Sequence, residues 1–125
     1  MTATRVRAGA RTVRPQEFTL GQITRHLIEN LGPKLTAFIV ERDVQTVTRW
    51  ARDQQTPPQD EVERKLRATF DVLQLLLSAG DSRHVVRAWF VGMNPQLDDA
   101  SPAESMAAGH LREVMAAARA FAAGG

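Results

Sequence analysis

The stretch PKLTAFIVERDVQTVTRWARD, residues 33–53, decides the fold. Pro33 suits the first turn of a helix, and Leu35, Phe38 and Ile39 give that helix a short apolar stripe as far as Val40. Asp43 is a good N-cap. Behind it Val44, Val47 and Trp50, with Ala51 beside them, recur at helical spacing. The β-branched run Val44, Thr46, Val47 and Thr48 has strand propensity, but the cap and the spacing outweigh it. Two short helices joined by Glu41-Arg42-Asp43 are therefore expected. That is the plan of a helix-turn-helix, in which the first turn of the second helix reaches base edges in the major groove. A plain αα-hairpin with a solvated polar face is the competing reading.

Toward the N-terminus, Thr19 and Gln22 form a capping box, and Leu20, Ile23, Leu27 and Leu31 place a helix over about 20–31. Gly32 suits the left-handed position that ends it. Residues 1–16 carry four arginines and no apolar periodicity. They are expected to be a flexible basic arm; an organelle transit segment is the other reading of such a composition.

Toward the C-terminus, Gln54 to Pro58 reads as a polar loop. Asp60 and Glu61 then sit at the positive end of a long helix. Val62, Leu66, Phe70, Leu73 and Leu77 form its stripe, and Val72, Leu75 and Leu76 widen it. A helix greasy on two sides is either central to a core or part of a dimer seam; Leu66 to Leu77 is the candidate seam. Gly80 ends it, and Asp81 or Ser82 caps the next helix. Val85, Val86, Trp89, Phe90 and Met93 are expected to bury that helix's apolar face before Asn94-Pro95 stops it. Ser101-Pro102-Ala103-Glu104 opens the last helix, expected to run through Leu111, Val114, Met115, Ala118 and Phe121. No repeat and no convincing strand is present, so the fold class is all-α.

Composition narrows the function. The chain has 125 residues and no cysteine, which excludes disulfides and thiolate chemistry and fits a reducing, cytoplasmic setting. No apolar run approaches the ~20 residues of a membrane span. Residues 1–58 hold nine basic and five acidic side chains, whereas residues 59–125 hold seven and nine. A basic front half suggests a polyanionic partner, although arginines also decorate solvated faces. His26, His84 and His110 are scattered without metal-ligand spacing, and Asp98-Asp99 reads as a loop before the Ser101 cap. No phosphate-binding glycine loop or nucleophile elbow occurs. No enzyme activity, metal or cofactor is therefore expected.

If the front hairpin reads DNA, Val44, Gln45, Thr46 and Arg49 lie on the exposed face of its second helix. Gln45 suits adenine and Arg49 suits guanine or phosphate. Arg42, Thr48 and Arg52 are better placed for phosphates. Trp50 is expected to pack beneath the helix pair.

The order Ala37-x-x-Val40, Val47-Thr48-Arg49-Trp50, Pro57 resembles the Xre/Cro repressor family. Glu41 and Asp53 stand where that pattern usually has glycine. The order Ala88-Trp89, Asn94-Pro95-x-Leu97, Ser101-Pro102-x-Glu104, Val114, Phe121 resembles the Xre/MbcA/ParS-type toxin-binding domain over about residues 82–125, with Asp99 where glycine is usual. The resemblance implies an antitoxin that binds a RES-domain, NAD-degrading toxin and represses its own operon at an operator, as a homodimer. It implies four segments: the arm at 1–16, the helix-turn-helix at 17–58, a connecting and dimerisation helix at 59–80, and a toxin-binding domain at 81–125. Trp89, Leu97, Val114 and Phe121 are expected in the core. The exposed end, Arg119, Ala122, Ala123, Gly124 and Gly125, is where toxin contact is expected. A small, flexible Ala-Gly tail can enter a narrow pocket, and it can equally be a frayed terminus. A free-standing Xre-type regulator is the alternative function.

Overall fold

A computed structural model describes residues 18–53 and 59–124. The arm, the Gln54–Pro58 loop and Gly125 lie outside the described residues. The elements are α1 (Leu20–Leu31), α2 (Pro33–Val40), α3 (Val44–Asp53), α4 (Asp60–Ser78), α5 (Arg83–Val91), a 3₁₀ turn (Pro95–Leu97), α6 (Pro102–Ala107) and α7 (Leu111–Ala122). No strand occurs among the described residues, and no helix there is long and apolar enough to cross a membrane.

Short-range side-chain bonds set most helix starts. Thr19 and Gln22 close a reciprocal capping box on α1, and Ser101 and Glu104 close another on α6. The Asp43 carboxylate accepts from the Thr46 N–H at 2.7 Å, and the Ser82 hydroxyl accepts from the Val85 N–H at 3.2 Å. Each cap satisfies donors that a first helical turn leaves unpaired. Gly32, at φ 91°, ends α1 and starts α2, so the two helices meet without a linker.

α4 is the centre of the molecule. α1, α2, α5, α6 and α7 all pack against it. Val62, Leu66, Phe70, Val72, Leu73 and Leu76 are each no more than 2% exposed. These side chains span a broad arc of the helix, wider than one neighbour could cover, and other parts of the same chain cover it. The face expected to be a dimer seam, Leu66 to Leu77, is therefore core. Leu75 and Leu77, its least buried leucines, still pack against the same cluster.

Two expectations about the second half are corrected. The helix opened by Ser101 does not continue to Phe121. It stops at Ala107, and Gly109 adopts φ 90°. The Gly109 N–H donates to Met106 O and the His110 N–H to Ser105 O, the paired bonds of a Schellman stop. α5 ends at Val91 rather than Met93. Met93, beyond the helix, is 77% exposed, Val85 in its first turn is 43% exposed, and Val86 and Phe90 alone of that helix are fully buried. Trp89 is half-buried, edge-on to Phe90 at 5.2 Å and tilted on Phe121 at 6.1 Å. Leu97 and Val114 are buried as expected.

Phe70 has no exposed surface and meets the Phe18 and His26 rings at 5.2 and 5.7 Å. Phe70→Ala should therefore lower unfolding free energy by about 3–5 kcal/mol, read from urea denaturation. An effect under about 1 kcal/mol would contradict the central position of α4.

Candidate nucleic-acid interface on the second helix of the hairpin

α3 divides cleanly by spacing. Val47, Trp50 and Ala51 are buried, and Trp50 lies beneath the hairpin at 3% exposure. The opposite face carries Gln45, Thr48, Arg49 and Arg52, all exposed, and Val44, in the first turn on the side of Val47, is exposed as well. Gln45 lies one turn before both Thr48 and Arg49, and Thr48 one turn before Arg52, so the polar residues form one ridge. The β-branched run is helical because the Asp43 cap starts the helix and Val47, with Trp50 and Ala51 after it, reaches one core.

Not every residue expected on the DNA-facing surface is equally free. Thr46 is half-buried and turned back toward the cap. Its hydroxyl, then its N–H, and then the nearby Arg49 charge hold the Asp43 carboxyl below the usual carboxylate range. A depressed carboxyl contributes stability at neutral pH and loses it as pH falls through its folded value, so this cap weakens only in acid. Arg42 is half-buried. It donates to Glu41 O at 3.0 Å and to Gln59 Oε1 at 2.6 Å, so it braces the end of α2 against the start of α4. Arg25 of α1 donates to Ala51 O at 3.3 Å, holding the C-terminal end of α3. Arg52 pairs with Asp53 at 3.1 Å. Asp53 is the last residue of α3, and its backbone is not left-handed.

The turn explains why glutamate stands at position 41. The Glu41 N–H donates to Phe38 O and the Arg42 N–H to Ala37 O, while Glu41 sits at φ 58°, ψ 45°. This is the Schellman pattern found at the ends of α4 and α6, where Gly80 and Gly109 occupy the left-handed position. A side chain there costs roughly 1–2 kcal/mol. At Glu41 that strain is kept, and the side chain it permits reaches Lys65. The Lys65 side chain is 2% exposed, yet its Nζ lies 3.2 Å from Glu41 Oε1 and 3.2 Å from Glu61 Oε2. The ammonium thus ties the turn to α4 from below. Lys65 was not expected to matter, although the sequence held a signal: a lysine inside the apolar stripe between Val62, Leu66 and Thr69, four residues after a glutamate.

The far end of the chain is more regular than a loose tail. α7 is helical to Ala122, the Ala123 N–H donates to Arg119 O at 3.0 Å and the Gly124 N–H to Phe121 O at 3.0 Å. Arg119, Ala123 and Gly124 are exposed and Ala122 is half-buried against the core. Among the described residues no three His, Asp or Glu side chains converge in a way that could hold a metal ion.

This arrangement is all-helical and similar to that of a bacterial antitoxin. The particular protein it resembles is the MbcA antitoxin, in the crystal structure of the M. tuberculosis MbcT-MbcA toxin-antitoxin complex. The match has 26% identity and a TM-score of 0.70, and covers 86% of this chain and 96% of that one. No family model and no curated relative matches the chain.

The shared ammonium yields a non-additivity test. Glu41→Gln or Glu61→Gln alone leaves Lys65 one carboxylate, and each should cost at most about 1 kcal/mol because both glutamates are largely exposed. The double variant strands a buried charge and should cost about 3–5 kcal/mol, with Lys65→Met restoring most of it. Strictly additive denaturation free energies would rule out the shared role.

Proposed function

We propose that the protein is an antitoxin that neutralises a RES-domain, NAD-degrading toxin by direct binding and represses its own operon through α3. The observation that carries the antitoxin part is the likeness to MbcA, which extends over nearly all of that chain. The DNA part rests on the exposed ridge Gln45, Thr48, Arg49 and Arg52 of α3, held out by a capped and braced turn.

In this reading α2 lies across the DNA backbone and α3 enters the major groove. Gln45 and Arg49 read bases, while Thr48 and Arg52 hold phosphates. Val44 offers a small apolar contact suited to a thymine methyl group. Thr46 and Arg42 serve mainly by fixing the cap and the turn. Toxin contact falls to the C-terminal part, with the end of α7 nearest the toxin's NAD pocket. Because α7 is helical to Ala122 and closes in a turn at Ala123 and Gly124, that end would enter as a blunt helix terminus, presenting Arg119, Ala122, Ala123 and Gly124. Gly125 belongs to the same proposed contact and lies outside the described residues. The protein acts in the cytoplasm, as a homodimer on paired half-sites.

Co-expression with a RES-domain toxin tests the first claim: growth should be restored, and equal killing with and without the protein would end the antitoxin reading. Removal of residues 122–125 should weaken inhibition while leaving the far-ultraviolet circular dichroism spectrum unchanged. An unaltered inhibition curve would exclude the helix end as the contact. Arg49→Ala and Gln45→Ala should each weaken operator binding by about 1–3 kcal/mol in gel-shift titrations and leave toxin inhibition intact. Unchanged affinity in both would reject α3 as the reading helix.

A further inference from the structure

Three of the large exposed apolar side chains gather on one face. Phe38 is 50% exposed, Val91 62% and Met93 77%. They line a shallow depression of ≈ 330 Å³ whose polar edge is Ser101 and Glu104. A second depression of ≈ 470 Å³ adjoins it, with Lys34 and Arg87 at its edge. Leu35 and Val91 line both, so they form the ridge between the two. The face is built from α2, the end of α5 and the start of α6, elements far apart in sequence that pack together.

An uncovered cluster of this kind on a small protein marks an interaction surface. Its charges say what fits. One flank is acidic through Glu104, which is exposed; the other is basic through Lys34, also exposed, and Arg87, whose Nε already donates to Asn30 O at 2.6 Å. A surface with opposite charges on opposite flanks of an apolar ridge is complementary to itself. A two-fold axis through the ridge lays the basic flank of one copy on the acidic flank of the other, and Val91 and Leu35 meet their counterparts at the centre.

We propose that this face is the site at which a second copy of the chain docks, in a two-fold dimer with Val91 at its centre and Lys34 opposite the partner copy's acidic flank. The proposal deepens the repressor reading by assigning its dimer contact, which α4 cannot supply because its apolar faces are spent inside one chain.

Sedimentation velocity of the full chain, without toxin or DNA, tests it. The wild-type protein should show a concentration-dependent monomer–dimer equilibrium. Val91→Glu should be monomeric with an unchanged circular dichroism spectrum and melting temperature. Lys34→Glu should weaken association by about tenfold or more, since it sets like charges face to face. Adding Glu104→Gln, which keeps the capping box on Ser101, should recover part of that loss. A wild-type chain that stays monomeric at all concentrations, or a dimer indifferent to Val91→Glu, overturns the proposal. So does a Val91→Glu variant that dimerises normally but no longer inhibits the toxin, because the face would then belong to the toxin. A dimer abolished by Val91→Glu in a protein that binds no operator DNA supports this contact and removes the repressor reading.

Discussion

The fold depends on one helix being covered from several sides. α4 carries apolar residues around more of its circumference than a single neighbour could hide, so a stable monomer has to wrap it. α1, α2 and the three helices after it do so, and the core they make joins both halves of the sequence. A front hairpin of two short helices is marginal on its own in water. Here Ile39, Val40, Val47 and Trp50 reach the core that α4 organises. The hairpin is rigid because of a helix that follows it in sequence.

α4 also sets the geometry of the turn. A left-handed residue with a side chain is strained, and in two comparable helix stops of this chain glycine removes the strain. At position 41 the strain is kept, and the side chain it permits reaches a buried ammonium. A buried ion pair adds little net stability against an apolar substitute, since desolvation consumes most of the Coulomb gain. Its contribution is to position. It fixes the turn relative to α4, and with Arg42 against Gln59 and Arg25 against the end of α3 it decides which way the polar ridge faces. The same sequence with glycine at 41 could make the turn, but could not anchor it at that point.

The second half treats its apolar residues differently. α5 stops two residues earlier than its hydrophobic pattern suggests, and α6 and α7 are separate helices. Those two breaks bring Val91 and Met93 to the surface beside Phe38 and let α7 fold back on α4. Apolar surface left uncovered beside a fully buried α4 identifies what the fold does not use internally. It is the kind of surface a small protein keeps for a partner.

Much of this was legible in the sequence, because caps and stops act within a few residues. Thr19, Gly32-Pro33, Asp43, Ser82 and Ser101-Pro102 fixed helix starts, and the three-residue turn at 41–43 was readable without knowledge of the rest. The polar ridge of α3 was legible too, since its period separates it from Val47 and Trp50. Other features depended on distance in the chain. Whether the wide stripe of α4 met another molecule or its own chain depended on helices up to forty or more residues away, and local pattern holds no record of them. Glu41 looked like a departure until Lys65, 24 residues on, lay beneath it. Met93 fitted an apolar stripe but lost its place when the helix ended at Val91. Local hydrogen bonds are set by neighbours along the chain, whereas burial and charge pairing are set by neighbours in space; only the tertiary structure brings those together.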